Sequence, residues 1–136
     1  GKMTPTLWVH LAPLSVIPLS MLALLKTTGD ASLLRYGSLV AAAFLGAALW
    51  WLVLAVSMTI HNRRQGKLPF ALSWWAFVFP IGACSVLAYR VSELLALEVL
   101  PLVASGLTLL ALFVWSATAL GTVRGIRPGA IFAPAH

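Results

Sequence analysis

Residues 36–62 read YGSLVAAAFLGAALWWLVLAVSMTIHN, and no lysine, arginine, aspartate or glutamate interrupts them. A helix needs about 20 consecutive apolar residues to cross the hydrocarbon core of a bilayer. The stretch is long enough for one such crossing, and basic residues flank it at Arg35 and Arg63. This pattern predicts a transmembrane helix rather than a core helix of a soluble domain.

Three further stretches lack charged side chains, and they run from Met3 to Leu25, from Leu68 to Tyr89 and from Val99 to Val123. We therefore predict an all-α polytopic membrane protein with four transmembrane helices, at approximately 6–25, 36–61, 69–89 and 99–122. The linkers between these spans are short. Residues 1–136 are thus expected to form a single transmembrane region, without a separate soluble domain and without an evident internal repeat.

The composition supports a membrane protein. Of the 136 residues, 61% are hydrophobic and 9% are charged, whereas a soluble domain carries about 25% charged residues. The net charge of +6 comes from scattered basic residues that lie near the ends of apolar runs. We therefore expect the lipid bilayer as a partner, and no nucleic acid.

The basic residues also predict the orientation. Short cytoplasmic loops carry an excess of lysine and arginine. The N-terminus, the second linker and the C-terminus lie on one side of the predicted topology and hold Lys2, Arg63, Arg64, Lys67, Arg124 and Arg127. The other side holds Lys26, Arg35 and Arg90. We therefore expect both termini in the cytoplasm and a location in the inner (plasma) membrane.

The sequence offers little for catalysis. It contains no nucleophile elbow, phosphate loop or cluster with metal-ligand spacing, and its single cysteine, Cys84, lies inside an apolar run. We expect no enzyme activity and no cofactor. The spans hold no acidic residue, which argues against a proton-coupled cation exporter and is compatible with an anion pathway.

His10 and His61 leave an alternative open, because two histidines near the same end of neighbouring helices are able to ligate a haem iron. The protein would then be a membrane-anchor or haem-binding subunit of a respiratory complex. A structural helper that only assembles with partners is a third class. The simpler interpretation of both histidines is that they are polar residues at the membrane interface.

Prolines distinguish the first and third spans. Pro13 and Pro18 lie in the first span and Pro80 in the third, and a proline removes one helical hydrogen bond and clashes with the preceding turn. Interrupted helices in membranes line cavities or pack inside the protein. These two spans are therefore candidates for lining a pore, whereas small residues in the second and fourth spans favour close helix packing.

The sharpest local signal lies in the third span. In a continuous α-helix, Phe79 would share a face with six other residues: Leu72, Trp75, Ala76, Gly82, Ala83 and Val86. An aromatic ring between small residues, next to a proline, predicts a hydrophobic constriction. The alternative is a ring that packs against a neighbouring helix.

The segment 74–80, WWAFVFP, resembles the penultimate-helix motif of the tellurite-resistance/C4-dicarboxylate transporter family, which includes the slow-type anion channels of plant guard cells. The segment 7–13, LWVHLAP, is similar to the start of the seventh helix of that family. The resemblance covers essentially the whole chain in order and spacing.

The resemblance implies a fold and a role. Members of the family have ten helices arranged as five hairpins around a pore that the odd-numbered helices line, so this chain looks like the last two hairpins, a fragment of a larger transporter. Its gating phenylalanine would be Phe79. Pro13, Pro18, Trp75, Pro80, Gly82 and Ala83 would shape the pore.

We therefore expect transport of small anions or C4-dicarboxylates, such as a malate-like acid, tellurite or an inorganic anion. Arg90 lies near the Phe79 face at the outer end, where it would attract anions or anchor the helix at the interface. By resemblance to the family, the full-length protein would be a homotrimer.

Overall fold

The computed structural model describes residues 4–66 and 72–126, and all regular secondary structure within these two ranges is helical. Five α-helices and one 3₁₀ helix follow each other along these described residues. They are α1 (Thr4–Val9), α2 (Leu11–Thr27), α3 (Ala31–Arg64), the 3₁₀ helix Leu72–Phe77, α4 (Val78–Leu95) and α5 (Leu100–Ile126).

Within residues 4–66 and 72–126, four segments are long and apolar enough to cross a membrane: Thr6–Thr27, Ala31–Arg64, Trp74–Leu95 and Leu100–Ile126. The expected all-α fold with four spans is thereby confirmed. The predicted start of the third span at residues 69–71 lies outside the described residues, as do Lys2, Lys67 and Arg127, which entered the orientation argument.

The helices extend beyond the charge-free stretches, because capping and not charge decides where a helix begins. The clearest case is α3, whose cap is Asp30: this carboxylate accepts hydrogen bonds from the backbone N–H groups of Ser32 at 2.8 Å and Leu33 at 3.2 Å. These bonds satisfy two of the donors that every helix start leaves free. The helix therefore begins before Arg35.

The helices form two hairpins that pack side by side. In the first hairpin α2 packs against α3, and in the second α4 packs against α5. The hairpins meet because α4 also contacts α2 and α3. Helices α2 and α4 are therefore neighbours at the centre, α3 lies behind both, and α5 lies beside α4.

The contact between α2 and α4 is tight and partly polar. Leu11 and Ser15 of α2 and Ile81 and Cys84 of α4 are completely buried, and the Cys84 thiol lies close to the Ser15 side chain. The Ser15 hydroxyl also donates to the carbonyl of Leu11 at 3.2 Å. Small side chains at this crossing allow the two helices to approach closely.

Small residues serve the same purpose between α2 and α3. Gly37, Ala41 and Ala48 of α3 are buried. A Cβ atom at Gly37 would collide with the end of the Leu25 side chain. The glycine therefore allows an approach that a larger residue would prevent unless Leu25 moved.

Hydroxyl groups connect α4 to α5. Ser85 donates to the carbonyl of Ala104 at 3.0 Å and shares a 2.6 Å hydrogen bond with the hydroxyl of Thr108. One turn further along α4, the hydroxyls of Tyr89 and Ser105 lie 3.3 Å apart. Hydrogen bonds between helices replace the hydrophobic effect as a source of specific association in lipid.

We predict that Ser85→Ala destabilises the second hairpin. The substitution removes two contacts between α4 and α5, and we expect the free energy of unfolding to fall by about 1 kcal/mol. Reversible unfolding in mixed micelles measures it. The control is Ser57→Ala, because the exposed Ser57 hydroxyl donates only to its own helix at Val53. An equal loss of unfolding free energy in both variants would contradict a stabilising role of the Ser85 contacts between α4 and α5.

Candidate functional site

Both central helices begin after an interruption of the backbone. Helix α1 ends at Val9 and α2 begins at Leu11, and the 3₁₀ helix ends at Phe77 where α4 begins at Val78. Pro13 is the third residue of α2, and Pro80 is the third residue of α4. A helix tolerates a proline in its first turn. The proline ring disfavours extension of the helix toward the N-terminus. The interruptions therefore lie at positions that Pro13 and Pro80 favour.

The two hairpins are related by an internal repeat. The interval from Leu11 to Val78, the first residues of α2 and α4, equals the interval from Pro13 to Pro80. The same interval separates Trp8 from Trp75. This internal repeat consists of helix starts and single residues at one interval and not of extended sequence similarity, which the sequence was not expected to show.

Aromatic side chains hold the two interruptions together. The ring centroids of Trp8 and Phe77 are 5.1 Å apart, and those of Trp74 and Phe77 are 5.6 Å apart. The indole N–H of Trp8 donates to Thr59 at 2.9 Å, and that of Trp51 donates to the carbonyl of Leu7 at 2.7 Å. Buried indole groups with hydrogen-bond partners fix both the position and the orientation of a ring.

Phe79 lies directly beyond this cluster and points away from it. Its side chain is 63% exposed, whereas its neighbours Phe77 and Pro80 are buried. The exposed face of α4 continues from Phe79 through the half-buried Gly82 to Val86. Phe79 is thus a large aromatic residue on the one face of α4 that the other described helices leave open.

The expected continuous face from Leu72 to Val86 is wrong over its first part. Residues Leu72–Phe77 form a 3₁₀ helix, which turns about 120° per residue instead of about 100°. Trp75 consequently directs its indole N–H to Thr122 of α5 at 3.2 Å. Gly82 and Ala83 stay half-buried beside Phe79 on α4.

The two prolines of α2 differ in burial. Pro13 is exposed at the start of the helix, together with Ile17 and Ser20 on later turns. Pro18 lies inside α2, completely buried, and the helix continues through it to Thr27. Pro13 therefore marks where α2 begins, and Pro18 is a packing residue on the buried side.

The hairpins contact each other through different surfaces. At the α2–α4 crossing, Cys84 of the second hairpin meets Ser15 of the first. By the internal repeat, the position equivalent to Cys84 is Ile17, which is 54% exposed, and the position equivalent to Ser15 is Gly82. Contacts of this head-to-tail kind are able to continue from unit to unit until a ring closes.

Charged side chains gather at the opposite end of the central helices. A cavity of about 290 Å³ lies there between α2, α3 and α4. Lys26, Arg90 and Glu93 line it together with five apolar residues, Leu19, Leu22, Ala23, Leu34 and Leu94. Arg90 and Glu93 form an ion pair of 3.1 Å in which both side chains are mostly exposed.

Arg90 belongs to the same open face as Phe79. The two residues are eleven positions apart, which is about 16 Å along the helix axis and within about 20° around it. The sequence pattern indicated Arg90, but it did not indicate that Lys26 and Glu93 lie beside Arg90 in one cavity. Their spacing on α2 and α4 follows the internal repeat, since Lys26 and Glu93 are equivalent positions.

The two histidines have local hydrogen-bond partners. The Nδ1 atom of His10 lies 2.9 Å from the carbonyl of Thr6. The Nε2 atom of His61 lies 2.8 Å from the side-chain amide of Gln65. Both rings are exposed, and the His10 ring also contacts Trp51 of α3, with ring centroids 5.8 Å apart.

Comparisons with known proteins agree with this architecture. The SLAC1 family model, described as voltage-dependent anion channel, matches residues 1–123. Two uncharacterized transporters of Methanocaldococcus jannaschii are each 28% identical to the chain over 97% of its length. The match covers 39% of one relative and 38% of the other, so the chain spans well under half of their length.

No solved structure shows a significant match to the chain. The family match spans both hairpins and includes both proline-started helices, Phe79 and the charged cavity. The chain therefore belongs to the voltage-dependent anion channel family.

Proposed function

We propose that this chain forms part of a pathway for small anions through the membrane, with α2 and α4 lining it and Phe79 as its gate. The observation that carries this proposal is the exposure of Phe79 on α4, a helix that otherwise packs against α2, α3 and α5. A large apolar side chain on the open face of a central helix is suited to a hydrophobic constriction.

The neighbours of Phe79 support a movable ring. Gly82 and Ala83 occupy the next turn of α4 and offer little side-chain bulk. The change from 3₁₀ to α-helix between Phe77 and Val78 lies two residues before Phe79, and such transitions often mark hinges. Rotation of the ring toward Gly82 would open the pathway without repacking the buried side of α4.

The pathway needs more helices than the described ones. The exposed surface of α2 that holds Pro13 and Ile17 is equivalent to the surface that α4 buries against α2. We infer that another hairpin of the same kind covers it, so that several hairpins enclose the pathway. The relatives, which are more than twice as long as the matched region, have room for such hairpins.

The substrate proposed for the complete protein is a small anion or a C4-dicarboxylate, including malate-like acids, tellurite or an inorganic anion. No acidic side chain lies on the open face between Phe79 and Arg90, and Arg90 itself is the first charge beyond Phe79 along α4. We further propose a cytoplasmic location for both termini, and a homotrimer in the plasma membrane.

We predict that Phe79→Ala increases anion flux, because it removes the ring from the constriction. Flux of chloride or malate is measured after reconstitution of the complete protein into liposomes, and we expect a rise of at least tenfold, equivalent to about 1.4 kcal/mol of barrier. The control is Phe113→Ala. Phe113 is 71% exposed on α5, so its loss changes apolar surface without touching the proposed pathway.

A correctly folded Phe79→Ala protein with the flux of the wild type would contradict the gate. An equal increase in the Phe113→Ala protein would contradict it as well, since leakage would then not depend on position. Flux that is absent from the wild type and present in Phe79→Ala would indicate a closed resting state with the gate where we propose it.

We predict that Ile17→Trp disturbs assembly of the complete protein. If another hairpin covers Ile17, the larger ring overpacks the contact and costs about 1–3 kcal/mol of stability. Thermal unfolding in detergent measures the loss. The control is Val53→Trp, because Val53 of α3 is 57% exposed and faces away from α2 and α4 in the proposed arrangement. Equal stability of the two variants would mean that lipid covers both positions.

A further inference from the structure

The charged cavity between α2 and α4 contains a cation without a counterion. Within residues 4–66 and 72–126, the ion pair between Arg90 and Glu93 is the one salt bridge that the structure shows. Lys26 lines the same cavity on the facing helix and takes part in no such pair. The cavity thus holds two positive charges and one negative charge.

This local excess of positive charge is not a property of the whole end of the molecule. Lys26, Arg35 and Arg90 are balanced there by Asp30, Glu93 and Glu98. Asp30 is engaged in capping α3, and neither Asp30 nor Glu98 lines the cavity. Long-range attraction of anions is therefore weak at this end, and selection depends on the groups inside the cavity.

The ion pair identifies the chemical group that the cavity accepts. Arg90 Nη1 holds a carboxylate oxygen of Glu93 at 3.1 Å, and guanidinium groups bind carboxylates through directed, charge-assisted hydrogen bonds. Both side chains are mostly exposed, so their pairing is weak and exchangeable. A soluble carboxylate is therefore able to take the place of Glu93.

The volume of the cavity is sufficient for such a ligand. Its 290 Å³ is several times the ~30 Å³ that one water occupies in the liquid. Apolar side chains, including Leu22 and Leu94, form the rest of the wall. A halide ion would leave most of this space to water, whereas an organic acid would contact both the charges and the apolar wall.

We propose that this cavity is a carboxylate-binding vestibule in which Glu93 acts as a tethered competitor for Arg90, and Lys26 supplies the second cation. An arriving organic acid displaces the Glu93 carboxylate from Arg90 and is held by both cations about 16 Å along α4 from Phe79. No covalent step is involved. The inference rests on the proposed anion pathway for its role, although binding itself is independent of transport.

The test measures binding of succinate to the complete protein in lipid nanodiscs by isothermal titration calorimetry. Glu93→Gln removes the competing charge and is expected to tighten binding about two- to fivefold, the range for an exposed ion pair. Arg90→Gln and Lys26→Gln are each expected to weaken binding by a similar factor. All three side chains are on the surface, so the variants should fold.

Two matched controls separate the site from general electrostatics. Glu98→Gln removes an acid and Arg35→Gln removes a base at the same end of the molecule, and neither residue lines the cavity. Both variants are expected to bind succinate as the wild type does. If Glu98→Gln tightens binding as much as Glu93→Gln, the proposal is overturned.

The double variant Arg90→Gln/Glu93→Gln tests the competition directly. If Glu93 acts by occupying Arg90, then the gain from Glu93→Gln is lost when Arg90 is already replaced. A gain of unchanged size in the double variant overturns the proposal, as does a lack of succinate binding in both the wild type and Glu93→Gln.

Uptake of succinate into liposomes separates this inference from the proposed function. The expected binding pattern together with uptake supports both. The same binding pattern in a protein that transports no anion supports the vestibule and contradicts the transport function. Uptake with a half-saturating concentration that none of the cavity variants changes overturns the vestibule and leaves the transport function intact.

Discussion

Two prolines impose the constraint on which the rest of the structure depends. A proline removes one helical hydrogen bond and crowds the preceding turn, and this cost is smallest in the first turn of a helix, where Pro13 of α2 and Pro80 of α4 lie. The preceding segments then become separate short helices, which the contact of Trp8 with Phe77 fastens together. This arrangement sets the rotation of both central helices and therefore decides which side chains face the open side.

The bilayer explains how the central helices pack once their starts are fixed. Because lipid offers no hydrogen bonds, polar side chains in the spans bind within the protein, as Ser85 does with Ala104 and Tyr89 with Ser105. These bonds commit one side of α4 to α5, and the packing of Cys84 near Ser15 commits another side to α2. The face of α4 that holds Phe79 is the remaining one, and its exposure follows from the packing of the others.

The sequence predicts the four spans well, since hydrophobicity and length are properties of the chain itself. It predicts boundaries less well, because Asp30 begins α3 before the charge-free stretch does. A periodicity argument that assumes one helical pitch does not predict the 3₁₀ helix before Val78, which contains Trp75. The sequence does not predict the cavity, because Lys26 and Glu93 are distant in sequence. The packing of α2 on α4 brings them together.

The internal repeat allows Phe79 to be compared with the equivalent position on α2. The position equivalent to Phe79 on α2 is Ala12, which is half-buried and small. The two hairpins thus carry one large ring and one methyl group at equivalent positions. In the proposed pathway, a phenylalanine at every equivalent position would fill the space between the helices, whereas a single ring opposite small residues would close it with one rotatable side chain. The difference between Ala12 and Phe79 is therefore compatible with the proposed gate at Phe79.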